Sequence, residues 1–483
     1  MGLLGILVAL GLLIWLAYRG WSVLLLAPAA AILAAGLAWE PLLAHWTQTF
    51  MASAAKFIMQ FFPIFLLGAL FGKLMEDSGS VSAIASFMTE HLGPRRAVLA
   101  VVLAGALVTY GGVSLFVAFF VLAPMAHALF HAAAIPKRLM PAAIALGTST
   151  FTMSALPGTP SIQNAIPMPF FGTTSFAAPG LGVIASLIML GFGLWWLARA
   201  EASARKKGES YGSDTDAAAD ASEHQIVRER ATTSSTFDPA EIRHGRLSEA
   251  DPSIALAMLP LAVVVGVNLL MSLFVLKRLD TSYLSDLVWG STSLSAVGGV
   301  WAVATALAVA SATLVAVNYR RLPALRESMD AGANASALPV LSVASLVGFG
   351  AVVAALPAFA TVRDWVLSIE GGPLISLAVA TNVLASLTGS ASGGLTIALD
   401  ALGSTYMRLA AEQGIDPGLM HRVAVIGAGT LDSLPHNGAV VTLLAVCGST
   451  HRESYFDIVM VSIVGGLLGL VAVIGLGTLF GSF

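Results

Sequence analysis

The sequence predicts an all-α polytopic membrane protein made of two inverted repeats, each with five transmembrane helices, a re-entrant hairpin and a broken helix. Three observations lead there. The chain has 483 residues, of which 57% are hydrophobic and 11% charged, and its mean hydropathy is +0.85; such a composition belongs to membrane spans and not to a water-facing globule. Two apolar segments run into polar, proline-containing stretches that a helix cannot cross cleanly, Gly147 to Asn164 and Gly427 to Val440. Those stretches, and two glycine-rich interruptions upstream of them, recur at nearly equal spacing in the two halves.

The second stretch, GAGTLDSLPHNGAV, places Asp432, Ser433, His436 and Asn437 in apolar surroundings. Pro435 removes a backbone donor and Gly438 loosens the chain, so Leu434 to Asn437 is expected to be unwound. Unwound backbone at membrane depth survives only where it lines a cavity or is covered by protein. The first stretch, GTSTFTMSALPGTPSIQN, has the same character. Breaks in corresponding positions of two halves point to a transporter's binding site.

Taken in order, apolar runs near 3–18, 22–39, 58–75, 139–165, 176–198, 253–275, 293–318, 338–357, 419–447 and 455–480 give ten expected spans, since about 20 residues cross roughly 30 Å of hydrocarbon. The run from Leu3 to Leu16 has no basic region before it and reads as a first membrane helix instead of a removable signal. Two further apolar pairs, 95–131 and 372–410, are interrupted midway by Thr109-Tyr110-Gly111-Gly112-Val113-Ser114 and by Thr388-Gly389-Ser390-Ala391-Ser392-Gly393-Gly394. They are expected to be re-entrant hairpins. Short amphipathic pieces precede both, around Ser78 to His91 and Thr361 to Ser368, and are expected along the membrane surface. Arg199 to Asp251 is rich in charge and poor in large apolar residues, so 199–252 is expected to be a flexible cytoplasmic linker between an N-terminal repeat, 1–198, and a C-terminal repeat, 253–483.

Basic residues orient the layout, because short cytoplasmic loops are enriched in Lys and Arg. With Arg19 inside, the pairs Arg95-Arg96 and Lys137-Arg138 fall inside, as do Arg199, Arg205 to Lys207, Arg320, Arg321, Arg326 and Arg452, and both termini are external. Lys277, Arg278, Arg363, Arg408 and Arg422 fall outside or near it, against the rule. The repeat shows in two landmarks. Ile135-Pro136-Lys137-Arg138-Leu139-Met140 matches Ile415-Asp416-Pro417-Gly418-Leu419-Met420 at an offset of 420 − 140 = 280, and Gly111-Gly112-Val113-Ser114 meets Gly393-Gly394-Leu395-Thr396 at 393 − 111 = 282. Five spans per half is an odd number, so the second copy is inverted.

Breaks and tips bring hydroxyls, amides and helix N-termini to the midplane, with no evident cationic side chain. A small carboxylate could be held there by such groups. The candidates are Tyr110, Gly111, Gly112 and Ser114 at the first tip; Ser154, Gly158, Thr159, Ser161 and Asn164 at the first break; Thr388, Ser390, Ser392 and Gly393 at the second tip; and Ser433, His436 and Asn437 at the second break. For any one hydroxyl, a bond back to its own helix is the plainer reading; the clustering carries the argument. Asp432 is the sharpest single residue, because a carboxylate at a span's centre costs about 2.5–3.5 kcal/mol to insert. It is the expected proton carrier, with His436 as a second titratable group. Asp400 is a weaker candidate. His127 and His131 sit a helical turn apart without further ligands at zinc spacing, so no metal or other cofactor is expected beyond a coupling ion, H+ first and Na+ second. The single cysteine, Cys447, reads as a packing residue. A net charge of −3 without a basic patch gives no reason to expect nucleic acid. A channel would need a continuous polar pore, and an enzyme a nucleophile with its base or a metal cluster; neither is seen. A sodium-coupled carboxylate or citrate symporter remains the competing reading.

GALFGKLMEDSG at 68–79, the hairpin that follows, SALPGTPS at 154–161 and DSLPHNGAV at 432–440 resemble the gluconate permease (GntP) family of the ion transporter superfamily. The resemblance covers nearly the whole membrane part. It implies elevator-type movement, a homodimer in a bacterial inner membrane, and proton-coupled uptake of gluconate or related hydroxy acids such as 3-hydroxybutyrate. Gluconate-transporting members carry a His and further prolines at the first break, where this chain has Ser154 to Thr159. That departure favours a smaller hydroxy-monocarboxylate.

Overall fold

The computed structural model describes residues 2–19, 21–211, 247–248, 250–435 and 437–483. The N-terminal part runs α1 (Gly2–Tyr18), α2 (Val23–Leu37), α3 (Leu42–Asp77), α4 (Ser80–Leu92), α5 (Ala97–Tyr110), α6 (Leu115–Ala132), α7 (Met140–Thr148), α8 (Phe151–Ser154), α9 (Ile162–Ala165), α10 (Pro167–Phe171) and α11 (Pro179–Lys206). The C-terminal part runs α12 (Ile254–Arg278), α13 (Leu294–Arg321), α14 (Leu325–Ala355), α15 (Phe359–Leu367), α16 (Pro373–Thr388), α17 (Ala391–Gln413), α18 (Pro417–Thr430), α19 (Gly438–Val446) and α20 (His451–Phe480). The protein is all-helical and polytopic. Among the described residues seven helices are long and apolar enough to cross a membrane, or eight if the bent pair Ser80–Leu92 and Pro94–Tyr110 counts as one.

That number differs from the ten apolar runs for identifiable reasons. α1 and α2 have 17 and 15 residues, short of the roughly 20 that span a bilayer. The runs at 139–165 and 419–447 are split into short helices by their breaks, and α6 qualifies on its own although it was expected as one arm of a hairpin. The bend between α4 and α5 is 102° and falls at Gly93, whose φ of +62° suits glycine, followed by Pro94. The linker also begins later than its composition implied. α11 continues through Arg199 to Lys206, and Arg138 binds Glu209 at 3.1 Å. At the far end the Ser248 N–H donates to Asp77 O at 2.8 Å. The rest of the linker reading, 212–246 and 249, lies outside the described residues.

Small residues let the helices that carry the site pack at backbone distance, as polar membrane interfaces require. A Cβ on Gly147 would fall 2.4 Å from Val102 O, which fixes α7 against α5, and one on Gly394 would fall 2.3 Å from the Ala385 backbone, which closes α16 onto α17. α16 packs on α18 as α5 packs on α7. Buried aliphatic and aromatic side chains, Phe71, Phe119, Phe130 and Leu146 among them, form one core beneath these elements. Cys447 is buried in that core.

Candidate functional site

At the first break α7 stops at Thr148, α8 makes a single turn, and helix resumes at Ile162. Pro157 and Pro160 lack donors, and Gly158 adopts a φ of +82°, so a run of carbonyls loses its helical partners. Side chains from four directions replace them. Tyr110 Oη donates to Pro157 O at 2.8 Å, Asn268 Nδ2 to Gly158 O at 3.1 Å, Asn164 Nδ2 to Thr159 O at 3.0 Å, and Ser161 Oγ to Met153 O at 2.7 Å. The fourth direction is α18, from which Arg422 Nη1 donates to Ser154 O at 3.1 Å and Arg422 Nη2 to Ala177 O at 2.7 Å. Arg422 is wholly buried. Sequence reasoning placed it among the loop cations and saw no cation at depth; both are corrected here. The guanidinium is tolerated because break carbonyls and Asn164 Oδ1, at 3.4 Å, occupy its donors in place of water.

The second break is shorter. α18 stops at Thr430, a 3-10 turn covers Leu431–Ser433, and α19 begins at Gly438. Asn437 caps α19, accepting from the Ala439 N–H at 2.7 Å, while its Nδ2 donates to Asp432 Oδ1 at 2.7 Å and to Gly389 O at 2.9 Å. Asn437 thereby ties Asp432 to the second hairpin tip. Ala391, at the start of α17, borders the same recess as Asp432. His436 lies outside the described residues.

These parts meet around a cavity of about 230 Å³ lined by Gly112, Ser114, Ser161, Ser390, Ser392, Asp432 and Asn437. A narrower recess of about 40 Å³ continues from it between Ser154, Ser433, Gln163 and Asp432. Both tips and both breaks therefore reach one space. Three helices of 18, 23 and 9 residues, α6, α17 and α19, begin there at Ser114, Ser390 and Asn437. Of the other sequence candidates, Tyr110, Gly158, Thr159 and Asn164 brace the first break and do not line the cavity. Gly111 packs on Leu261, the Thr388 hydroxyl donates to Leu384 O at 2.8 Å, and the Gly393 N–H donates to Ser390 Oγ at 3.2 Å. Asp400 is exposed, and His127 and His131 both meet Tyr211.

Comparison with known proteins now decides the class. Residues 1–175 match the GntP family permease. The "Uncharacterized transporter YxjC" of Bacillus subtilis (strain 168) is 41% identical over 471 residues, 96% of each chain. The chain belongs to the GntP permease family. It is a transporter and not an enzyme. Its fold resembles that of Neisseria gonorrhoeae MtrF, described as illuminating a class of antimetabolite efflux pumps, with a TM-score of 0.53 at 15% identity over 91% of this chain and 85% of that one.

Two residues, one bracing the first break and one bordering the cavity, escaped the sequence reading. Arg422 looked like a loop residue because it lies five positions into a helix that opens with Pro417-Gly418. Gln163 borders both the cavity and its recess, yet it stands in SIQN beside residues with clearer roles. Two adjacent side-chain carboxamides at a helix restart, Gln163 and Asn164, were the available signal. Among the described residues no Lys, Arg or His lines either space.

Proposed function

We propose that this GntP-family permease is a proton-coupled symporter for a small hydroxy-monocarboxylate such as 3-hydroxybutyrate or gluconate, working in a bacterial inner membrane. The observation that carries the reading is the convergence of the α6, α17 and α19 N-termini on one cavity beside Asp432. Helix N-termini present unpaired N–H groups and partial positive charge, a setting for a carboxylate that needs no lysine or arginine. The serine hydroxyls of both tips add donors.

Asp432 supplies the coupling. An ionised Asp432 and a substrate carboxylate about 4 Å apart repel by about 4 kcal/mol at an effective dielectric of 20. Protonating Asp432 removes that repulsion, so proton and anion bind with positive coupling and each raises the affinity for the other. Sodium is the weaker reading for a physical reason. The carbonyls nearest the second break already accept hydrogen bonds, Gly389 O from Asn437 at 2.9 Å, Ser433 O from Tyr455 at 3.1 Å and Pro435 O with His451 at 2.8 Å.

The same order of elements on either side of the linker, α4 to α9 and α15 to α19, supports two inverted halves, 1–198 and 253–483, each with a re-entrant hairpin. In an elevator cycle the hairpins, breaks, α11 and α20 would move together against α1 to α3 and α12 to α14, in a homodimer. Uptake into proteoliposomes under separately imposed proton and sodium gradients tests the coupling. Proton-driven accumulation should be saturable and should vanish in Asp432→Asn while binding of 3-hydroxybutyrate persists. Full proton-driven accumulation by Asp432→Asn would overturn the coupling role, and non-saturating flux would indicate a channel. For the hairpin, cysteines replacing the exposed Arg95 and Ala132 should both be labelled from the cytoplasmic side; labelling from opposite sides would make α5 and α6 a crossing unit.

A further inference from the structure

We infer that Gln163 reads the hydroxyl of the substrate and sets the preference for hydroxy-carboxylates over their deoxy counterparts. The inference rests on the carboxylate reading above and adds to it the residue that contacts the rest of the molecule. Gln163 borders both the cavity and its recess, together with Met153, Asp432 and Asn437. Its Oε1 is sealed from solvent and has no hydrogen-bond partner among the described residues. An amide oxygen shut away without a partner is unfavourable, so the half-buried side chain, which borders the cavity, has capacity that a ligand satisfies once the amide turns towards it.

The neighbouring amides have no such capacity. Asn164 Nδ2 is taken by Thr159 O and Ser175 O, both at 3.0 Å, and its Oδ1 by His421 at 3.1 Å. Asn268 Nδ2 is taken by Gly158 O at 3.1 Å and Ser175 Oγ at 2.9 Å. Asn437 is taken by Asp432 at 2.7 Å, Gly389 at 2.9 Å and Ala439 at 2.7 Å. A carboxamide offers both a donor and an acceptor. A carboxylate supplies only acceptors and has the helix N-termini for them, whereas a hydroxyl both gives and takes a hydrogen bond and so matches a carboxamide. The recess beside Gln163, about 40 Å³, exceeds the roughly 10–15 Å³ that a single water needs, so a hydroxyl-bearing carbon fits beside the amide.

The test compares 3-hydroxybutyrate with butyrate on the purified full chain, measuring Kd by calorimetry and folding by thermal unfolding. The wild type should prefer 3-hydroxybutyrate by about tenfold to a hundredfold, because a site built to pair a hydroxyl rejects the analogue that leaves its amide unpaired. Gln163→Leu, which keeps volume and removes the amide, should bring the two affinities together by weakening 3-hydroxybutyrate while leaving butyrate unchanged. Gln163→Met is judged in the same way if the leucine variant fails to fold. A variant that keeps the wild-type preference, or that weakens both ligands equally, overturns the inference. So does a wild type that binds both acids equally, an outcome that leaves the carboxylate reading standing. A wild type that binds neither acid overturns both.

Discussion

The two breaks solve the same problem in opposite ways. At the first, side chains from three other helices reach in to hold the opened backbone, Tyr110 from α5, Asn268 from α12 and Arg422 from α18, beside the break's own Ser161 and Asn164. The one charge that takes part, Arg422, is positive, buried and bonded to carbonyls, with no carboxylate within ion-pair distance among the described residues. At the second, the charge is negative, belongs to the break itself and faces the cavity. Asp432 is held by one amide, that of Asn437, which also binds Gly389 O of the hairpin tip beside it. A wall that must keep its shape is braced from outside. On the coupling proposed above, a group that exchanges a proton is held by few bonds, next to the space proposed for the substrate.

The largest effect that separates the two is expected at Arg422. Arg422→Ala removes the donors of Ser154 O and Ala177 O in a dry setting and opens a void, which together should destabilise the protein by about 3 kcal/mol or more. The measurement is thermal unfolding of purified protein in detergent. Arg422→Lys should recover only part of the loss, since an ammonium cannot reach both carbonyls with the guanidinium's fork. An alanine variant as stable as the wild type would show that the first break holds itself.

Asn437→Ala comes next. It removes the cap of α19, worth about 1 kcal/mol, and one hydrogen bond to the Asp432 carboxylate, worth about 1.5–3 kcal/mol when the group is charged. A loss of about 2.5–4 kcal/mol is expected, with weaker binding of 3-hydroxybutyrate because Gly389 O and the second tip lose their tie to the break. If stability falls and binding is untouched, Asn437 is a brace like those of the first break and the contrast between the two weakens.

Much of this organisation was legible before any coordinates. Proline and glycine interrupting apolar runs marked both breaks, because backbone without a donor or with free φ cannot continue a helix. The clusters at 109–114 and 388–394 marked the tips for the same reason, and each contains the serine at which the next helix starts, Ser114 and Ser390. What was hidden depends on long-range partners. Nothing near Tyr110 in sequence says that its hydroxyl meets a carbonyl 47 positions away, and nothing near Arg422 says that carbonyls 245 and 268 positions away will replace water around it. Local composition announces where a helix fails; it does not announce which distant side chain repairs it. For that reason Thr159 and Asn164 read as ligand residues although their bonds go to the break, and Gln163, whose Oε1 has no partner among the described residues, was passed over.

The smallest expected effect is the finest test of the contrast, because it compares one substitution at equivalent places. Ser154 and Ser433 both line the recess. Ser154 Oγ already donates to Thr150 O at 3.0 Å, so its proton is committed to its own turn and a ligand would meet only lone pairs. The Ser433 hydroxyl has no such bond among the described residues; only its carbonyl is engaged, by Tyr455 Oη at 3.1 Å. Ser433→Ala should therefore weaken carboxylate binding by about tenfold, the loss of one hydrogen bond to a charged group. Ser154→Ala should change the affinity by less than about twofold and leave stability within about 0.5 kcal/mol. Calorimetric titration of both variants with 3-hydroxybutyrate decides it. Equal losses would make the recess symmetric and place the carboxylate between the breaks, while a larger loss at Ser154 would move it to the first break and leave Asp432 facing the substrate from a distance.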